Sequence, residues 1–433
     1  MVADKQLNAN TNWAGKRILC LVAVVVLVAG CGDSLGNKVR KAVEAIDLMS
    51  LGEEGVFSPS EVSASRILDG ANPQEVAQGL AVIFEKSQDP ATRAKAVTLT
   101  RFCLEAKDAD TANGHETAMG IALGAIDDDS PSVVYCAVRV LRGVSGGTEE
   151  AKQRLLKKAQ TTDDIKLLTY IYSTLFEWGE QEALLSQLSQ PRPPAGSGSD
   201  VARWRSRMQS VLNVVADTRR QWHARASLVD GLLSLMKADG ELIAGAAPAM
   251  LALNARDAIP GMKALLASTQ RTEDRVYLAA TIVALEPGLT EVREQLSPIL
   301  TRIATEGSAG SGGLSVVVHI NSYLALCAIV SKDEGLMREA WNSYKSLPIK
   351  ERAELMRCTL LNLAGQERLF LALLGDIPDA GMKEMCAANP PLAKGLKFLA
   401  DGIAPSGDGD AVHAELRERI ARILQPTKLE TQN

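Results

Sequence analysis

Two stretches of the sequence share one pattern: DPATRAKAV at residues 89–97 and DSPSVVYCAV at residues 129–138. In both, alanine follows the proline after six residues and valine after seven, and Pro90 and Pro131 lie 41 residues apart. Proline fits the first turn of an α-helix, and an acidic residue before it can accept hydrogen bonds from free backbone amides. The pattern therefore predicts two helices that begin in the same way, one repeat apart.

The distance between these helices is typical of a known class of repeat. A spacing of 41 residues falls within the ~40–47 residues of HEAT and armadillo repeats. The segments resemble the first helix of HEAT repeats, in which an acidic residue and a proline precede small and β-branched residues. The resemblance implies an all-α fold, an α/α superhelix of stacked helical pairs. A non-repetitive helical bundle is the alternative.

Weaker copies of the pattern follow. One opens at residues 163–168, and two more occupy residues 258–266 and 273–280, while apolar residues keep helical spacing from Ser58 onward. Arg93 and Arg275 lie early in their helices, as an arginine of HEAT repeats often does, but Val134 takes that place after Pro131. The sequence therefore does not predict an unbroken ladder of Arg-to-Asp pairs.

The N-terminal region has the layout of a secretory signal. Lys16 and Arg17 precede an apolar run at residues 18–28, which ends in Val-Ala-Gly-Cys at residues 28–31. This ending resembles the lipobox of bacterial lipoproteins, which implies cleavage after Gly30 and lipidation of Cys31. The resemblance places the chain on the cell membrane or outer membrane, lipid-anchored at the periplasmic or extracellular face. An uncleaved signal-anchor helix is the alternative, but the apolar run is short of the about 20 residues that span a bilayer.

Composition shifts divide the chain into segments, with Pro, Gly and Ser concentrated at residues 190–199 and 307–313. The predicted segments are a signal peptide (1–30), an anchored tether with a first helix (31–57), N-terminal HEAT-like repeats (58–189), a linker (190–199), central repeats (200–305), a Gly/Ser loop (306–313), a C-terminal helical region (314–424) and a tail (425–433). The first helix is expected to place on one face Val39, Ala42, Val43, Ile46 and Met49.

Composition also limits the class of partner. The 433 residues carry a net charge of -5, so nucleic acid is a poor candidate. Five cysteines follow the predicted lipid site: Cys103, Cys136, Cys327, Cys358 and Cys386. Their number is odd and none forms a C-x-x-C pair, so buried free thiols are favoured, although a Cys358–Cys386 disulfide is compatible with an oxidising compartment.

No motif of catalysis or cofactor binding occurs in the sequence context that its chemistry requires. The four histidines lie far apart, so none forms a helical metal-binding pair, and the glycine-rich stretch at residues 307–313 lacks the Gly-Lys of a P-loop. The pattern G-x-S-x-G occurs at residues 32–36 and 143–147, but neither match follows the strand pattern that a nucleophile elbow requires. The sequence therefore predicts no catalytic residue, no metal site and no cofactor.

One cluster of basic and aromatic residues is a candidate partner surface. Arginine and tryptophan are enriched at binding hot spots, and the cluster consists of Arg203, Trp204, Arg207, Arg219 and Trp222. The alternative is that the rings belong to the core and the arginines pair with Asp200 and Asp217.

These observations predict a membrane-anchored, non-enzymatic scaffold or assembly factor of the bacterial cell envelope, with protein partners recognised along one face. An envelope enzyme or enzyme accessory acting on cell wall or lipid, or a small-ligand binding lipoprotein, is the alternative. Converging carboxylates with a raised pKa would favour the enzyme.

Overall fold

The computed structural model describes residues 35–50, 58–105, 112–143, 147–194, 196–217, 220–307, 313–363, 365–402 and 411–425. Within these ranges the chain forms 22 α-helices and no β-strand, so the predicted all-α fold is confirmed there. The signal peptide, Gly30 and Cys31 lie outside the described residues, and so does Arg219. The lipid anchor therefore stays a prediction from the sequence.

The chain divides into two compact units, one up to Leu184 and one from Leu185. The helices of the first unit are α1 (Leu35–Ala45), α2 (Pro59–Ile67), α3 (Pro73–Lys86), α4 (Pro90–Leu104), α5 (Ala112–Ala125), α6 (Pro131–Gly143), α7 (Glu149–Thr161) and α8 (Ile165–Glu177). Helix α9 (Gln181–Leu188) contains the boundary between the units.

The helices of the first unit begin where the sequence predicts. Asp89 accepts hydrogen bonds from the amides of Ala91 at 3.2 Å and Thr92 at 2.9 Å, and Pro90 takes the first position of α4. Asn72 caps α3 and Asp164 caps α8 in the same manner. A side-chain cap of this kind stabilises a helix by about 1 kcal/mol. These caps fix where each repeat starts.

Helices of the first unit pack in the order of a helical repeat. Each of α3 and α4 contacts the next helix in sequence, and α3 contacts α5, α4 contacts α6, and α6 contacts α8. Contacts with the next-but-one helix arise when helices alternate between two stacked layers. Ala94, Ala96 and Ala137 are fully buried, and such small side chains let the stacked helices approach closely.

A buried ion pair ties α2 to α6. The Arg139 Nη1 and Nη2 atoms lie 2.8 and 2.9 Å from the two carboxylate oxygens of Glu61, and the side chains are 5% and 3% exposed. Glu61 also accepts a hydrogen bond from the Ser58 amide, within a capping box that starts α2. The pair joins residues 78 apart in sequence, so it spans two repeats.

The second unit continues with thirteen helices. They are α10 (Gly198–Val215), α11 (Arg225–Ala238), α12 (Ile243–Ala252), α13 (Ile259–Ser268), α14 (Thr272–Leu285), α15 (Thr290–Gly307), α16 (Gly313–Ser331), α17 (Glu334–Ser343), α18 (Ile349–Asn362), α19 (Glu367–Gly375), α20 (Asp379–Ala388), α21 (Pro390–Gly402) and α22 (Ala411–Leu424).

Two stacked layers are also present in the second unit. In one layer α10, α12, α14, α16, α18 and α20 each contact the next member; in the other, α11 contacts α13, and α15, α17, α19 and α22 contact each other in turn. Cross-contacts such as α14 with α15 and α16 with α17 join the layers. The regular order is that of an α/α helical repeat rather than of an irregular bundle.

Helix α16 belongs to the core of the second unit. One described segment, Leu314–Ser331 in α16, is long and apolar enough to cross a membrane by length and composition. It packs between α14 and α18, and Tyr323, Leu324 and Cys327 are buried. Burial within the repeat covers 44% of this apolar segment.

The first helix differs from the prediction in one respect. Val39, Ala42, Val43 and Ile46 are buried as expected, but Met49 is 95% exposed. Helix α1 ends at Ala45 and a short 3-10 helix follows at Leu48–Ser50, so the helical periodicity does not reach residue 49.

Candidate interaction surface

Trp204 is part of the core of the second unit. Its side chain lies on α10 with only 5% of the residue exposed, and its ring Nε1 donates a hydrogen bond to the Gln190 carbonyl at 3.2 Å. A buried indole with a satisfied donor fixes the segment before α10 against that helix. Trp204 therefore cannot be an exposed contact residue, which corrects that part of the predicted partner surface.

Arg205, beside it, holds the turn before α12. Its Nε and Nη2 atoms lie 2.7 and 3.0 Å from the Asp239 carboxylate, which also accepts a hydrogen bond from Arg192 at 3.0 Å. Burial alone would raise the pKa of Asp239, but the hydrogen bonds from Arg205 and the Glu241 amide, with the charge of Arg192, hold it below its usual range. Arg192 and Arg205 therefore stabilise the fold by binding the Asp239 carboxylate.

The other members of the predicted surface are spread over two places. Arg203 is exposed on α10, whereas Arg207 and Trp222 are half-buried. Asp217 pairs with Arg220 at 3.2 Å, so part of the local positive charge is neutralised within the chain. Binding of a partner by Arg203, Arg207, Arg219 and Trp222 stays a prediction.

Within the described residues, five arginines form a ladder of ion pairs between successive repeats. Each donates two hydrogen bonds to an aspartate beside the next-but-one helix, and such bidentate pairs fix geometry as well as charge. The pairs are Arg93–Asp128, Arg205–Asp239, Arg225–Asp257, Arg293–Asp333 and Arg338–Asp376, which span 35, 34, 32, 40 and 38 residues. Arg93 and Arg293 each take the fourth position of their helices, whereas the other three arginines take different positions. Arg275 forms no such pair with any described residue.

A group of carboxylates converges at the start of α14. Asp274 is 3% exposed, its Oδ2 atom lies 3.6 Å from Arg271, and Arg271 also pairs with Glu241 at 3.0 Å and Glu273 at 3.4 Å. Burial raises the pKa of Asp274 to about 6, helped by the negative charges of Glu241 and Glu273 and opposed by Arg271. The raised pKa is the feature expected of an enzyme, but this carboxyl group is enclosed and does not face solvent.

Cysteine and metal chemistry are limited in the described residues. All five described cysteines are free thiols; Cys103, Cys136 and Cys327 are buried, and Cys358 and Cys386 are half-buried. Burial raises the pKa of Cys103 and of Cys327 to about 12, so these thiols stay protonated at neutral pH. No group of three His, Cys, Asp or Glu side chains is arranged to hold a metal ion within the part of the chain that the structure describes.

Successive helices of one layer in the second unit carry partly exposed residues, several of which contact the next helix of that layer. Gly245 on α12 lies under the Gln209 amide of α10, since a Cβ there would come within 2.5 Å of Oε1. The rings of Tyr277 on α14 and Tyr323 on α16 lie 4.9 Å apart, and Asn362 on α18 donates to Ser322 on α16 at 2.9 Å. We call this set the α10–α18 row: Gln209, Gly245, Tyr277, Ser322 and Asn362.

The row is polar and aromatic, and it carries no ionised group of its own. Its members are half-buried apart from Asn362, which is exposed. Tyrosine and amide side chains combine contact area with adaptable hydrogen bonding, which is a composition suited to protein recognition. The sequence did not reveal this row, because its members belong to five helices between residues 198 and 362.

Comparisons with known proteins give no family. No family model matches the chain, and no curated protein matches it. Among solved structures, an engineered protein of the Northeast Structural Genomics Consortium is 17% identical, with 90% of this chain and 100% of that chain covered and a TM-score of 0.29. A chain of the Kap95:Nup1 complex is 12% identical, with a TM-score of 0.35; the match covers 93% of this chain and 65% of that one. TM-scores this low carry no argument, so the helical-repeat fold follows from the chain's own helix packing.

Proposed function

We propose that the chain is a non-enzymatic scaffold or assembly factor, anchored to a bacterial envelope membrane by lipid on Cys31. The observation that supports a binding role is the α10–α18 row, to which α14, α16 and α18 contribute polar and aromatic side chains besides Gln209 of α10. Stacked repeats provide extended surfaces of this kind, and each additional repeat lengthens the surface available to a partner. The sequence pattern before Cys31 supports the anchor.

Lipidation has a direct test in the mass of the mature protein. We expect the chain purified from membranes to begin at Cys31 and to carry acyl chains there, and Cys31→Ala to lose both the acyl mass and the cleavage. Several acyl chains anchor a protein stably, since each buried CH₂ contributes about 0.8 kcal/mol. Intact-protein mass spectrometry of both proteins measures this. An unmodified Cys31 in membrane-extracted protein would exclude the anchor.

Partner binding has a separate test in crosslinked affinity capture from solubilised envelopes. We expect a stoichiometric protein partner for the parent chain, and at least tenfold less of it for Tyr277→Ala/Asn362→Ala, since truncating a hot-spot side chain costs about 2 kcal/mol or more. The matched control is Tyr135→Ala, because Tyr135 is also a partly exposed tyrosine in an aromatic pair, with Tyr170, but lies in the first unit.

The predicted cluster is assayed in the same experiment with Arg203→Ser/Arg207→Ser/Arg219→Ser. A loss of capture in this variant alone would place the contact at the cluster instead of the row. Recovery of the chain without any partner, from the parent and every variant, would contradict the scaffold.

A further inference from the structure

Phe398 is an aromatic side chain that the fold leaves in solvent. The residue is 81% exposed, although its helix, α21, is firmly packed: Leu392 and Leu396 are fully buried and α21 contacts α18, α20 and α22. The ring is therefore held outward by an ordered helix rather than exposed by fraying. Single exposed apolar residues are common on protein surfaces. The residues around the ring therefore decide whether it marks a binding site.

Those surroundings are basic and apolar. Lys394 and Lys397 are exposed, four residues and one residue before Phe398, so that Lys394 shares its helix face. Asp401 is the acidic residue of this helix, and it lies one turn after Lys397 and Phe398 on the same face. No ion pair joins either lysine to a described residue.

A second exposed side chain lies on the neighbouring helix. Gly395 permits close approach of α18, since a Cβ there would lie 2.9 Å from the Leu360 Cδ2 atom. Leu361, the next residue of α18, is 63% exposed. Helices α18 and α21 are thus in contact at Leu360 and Gly395, one residue before Leu361 and three residues before Phe398. We call Leu361, Lys394, Lys397 and Phe398 the α21 patch.

We propose that the α21 patch binds an anionic lipid bilayer, as a second contact besides the lipid on Cys31. Charge complementarity favours this occupant, because the two exposed lysines outweigh the one acidic residue of the helix. The ring protrudes from a helix instead of lining a groove, and protruding aromatic and leucine side chains between lysines enter the interface of a membrane while the lysines meet lipid phosphates. The inference rests on the proposed membrane location.

The test uses the full chain carrying Cys31→Ala, so that acyl chains on residue 31 do not contribute to vesicle binding. Binding is measured by co-sedimentation with vesicles of phosphatidylcholine alone and with phosphatidylglycerol added. The background from the apolar run at residues 18–28 is common to all variants. We expect Lys394→Gln/Lys397→Gln to lower partitioning onto anionic vesicles about 30-fold, from about 1 kcal/mol for each lysine, and to leave neutral vesicles unaffected.

Phe398→Ser is expected to lower partitioning about tenfold on anionic vesicles, since the ring no longer leaves water. The matched control is Met49→Ser, because Met49 is 95% exposed in the first unit and should not matter. Circular dichroism should be unchanged in all variants, since the substituted side chains lie in solvent.

Equal binding of all variants to both vesicles would overturn the proposal. So would unchanged vesicle binding together with loss of a crosslinked protein partner, which would assign the patch to a protein. A failure of lipidation at Cys31 appears in the mass of the mature chain and leaves this result unaffected.

Discussion

Arg139→Met is expected to lower the free energy of unfolding of the first unit by about 3–5 kcal/mol, because it leaves the Glu61 carboxylate buried without its cation. Glu61 is 3% exposed and would keep only its contacts with the capping box of α2. Denaturant-dependent hydrogen exchange, measured by mass spectrometry on peptides of α2 and α6, reports this loss separately from the second unit.

The matched control removes both partners. Glu61→Gln/Arg139→Met leaves no buried charge, so we expect it to be more stable than Arg139→Met alone, although the capping box is weakened. Equal losses in the single and double variants would show that the pair contributes only through packing.

The pH dependence of the pair follows from the same geometry. Burial alone would raise the pKa of Glu61, but the hydrogen bonds and charge of Arg139, with the Ser58 amide, hold it below its ordinary value of 4.5. Because the folded-state pKa lies below the unfolded one, this stabilisation is present above about pH 4.5 and is lost as the pH falls through the folded pKa. In Arg139→Met, burial still raises the pKa of Glu61 but the arginine no longer lowers it. The pH dependence of the free energy of unfolding should therefore reverse, so that acid stabilises the first unit.

Asp274→Asn is expected to stabilise the second unit at pH 7.5 by about 2 kcal/mol. The pKa of Asp274 is about 6 in the folded chain, above its ordinary value of 3.8. A difference of about two pH units corresponds to about 3 kcal/mol, and loss of the 3.6 Å contact with Arg271 offsets part of it. Denaturant unfolding followed by hydrogen exchange of α14 measures the change.

The direction of the stability change caused by Asp274→Asn can be checked by its pH dependence and by substitution of a second carboxylate, Asp239. The folded chain binds the Asp274 proton more tightly than the unfolded chain, so the parent should gain stability as the pH falls from about 7.5 to 5, and Asp274→Asn should lose that gain. Asp239→Asn should act in the opposite direction at pH 7.5, since the pKa of Asp239 lies below its ordinary value. Destabilisation by both substitutions would mean that Asp274 is charged and well paired.

Local signals in the sequence were sufficient to place many helix starts. Pro90 and Pro131 begin α4 and α6, because a proline at the first turn and a cap before it act within a few residues. The 41-residue spacing of these prolines then indicated stacked pairs, and the contact of α4 with α6 confirms that stacking.

Features that depend on distant residues were not predictable in the same way. Trp204 is held in the core by a hydrogen bond to the Gln190 carbonyl. Arg205 is held by an ion pair with Asp239, which follows it by 34 residues. Composition left open whether Trp204 lies at the surface or in the core, and only tertiary packing places it in the core. The α21 patch could not be predicted from the sequence, because helical periodicity does not show which apolar side chains the fold leaves exposed.

The buried pair of Arg139 and Glu61 has a consequence for how this chain can change in length during evolution. Ladder pairs such as Arg338–Asp376 span about one repeat, 38 residues, so duplication or deletion of a whole repeat elsewhere leaves them intact. The Arg139–Glu61 pair spans 78 residues, and loss or gain of a repeat between its partners would strand a buried charge. Natural variation in repeat number should therefore avoid residues 61–139 and concentrate in the second unit.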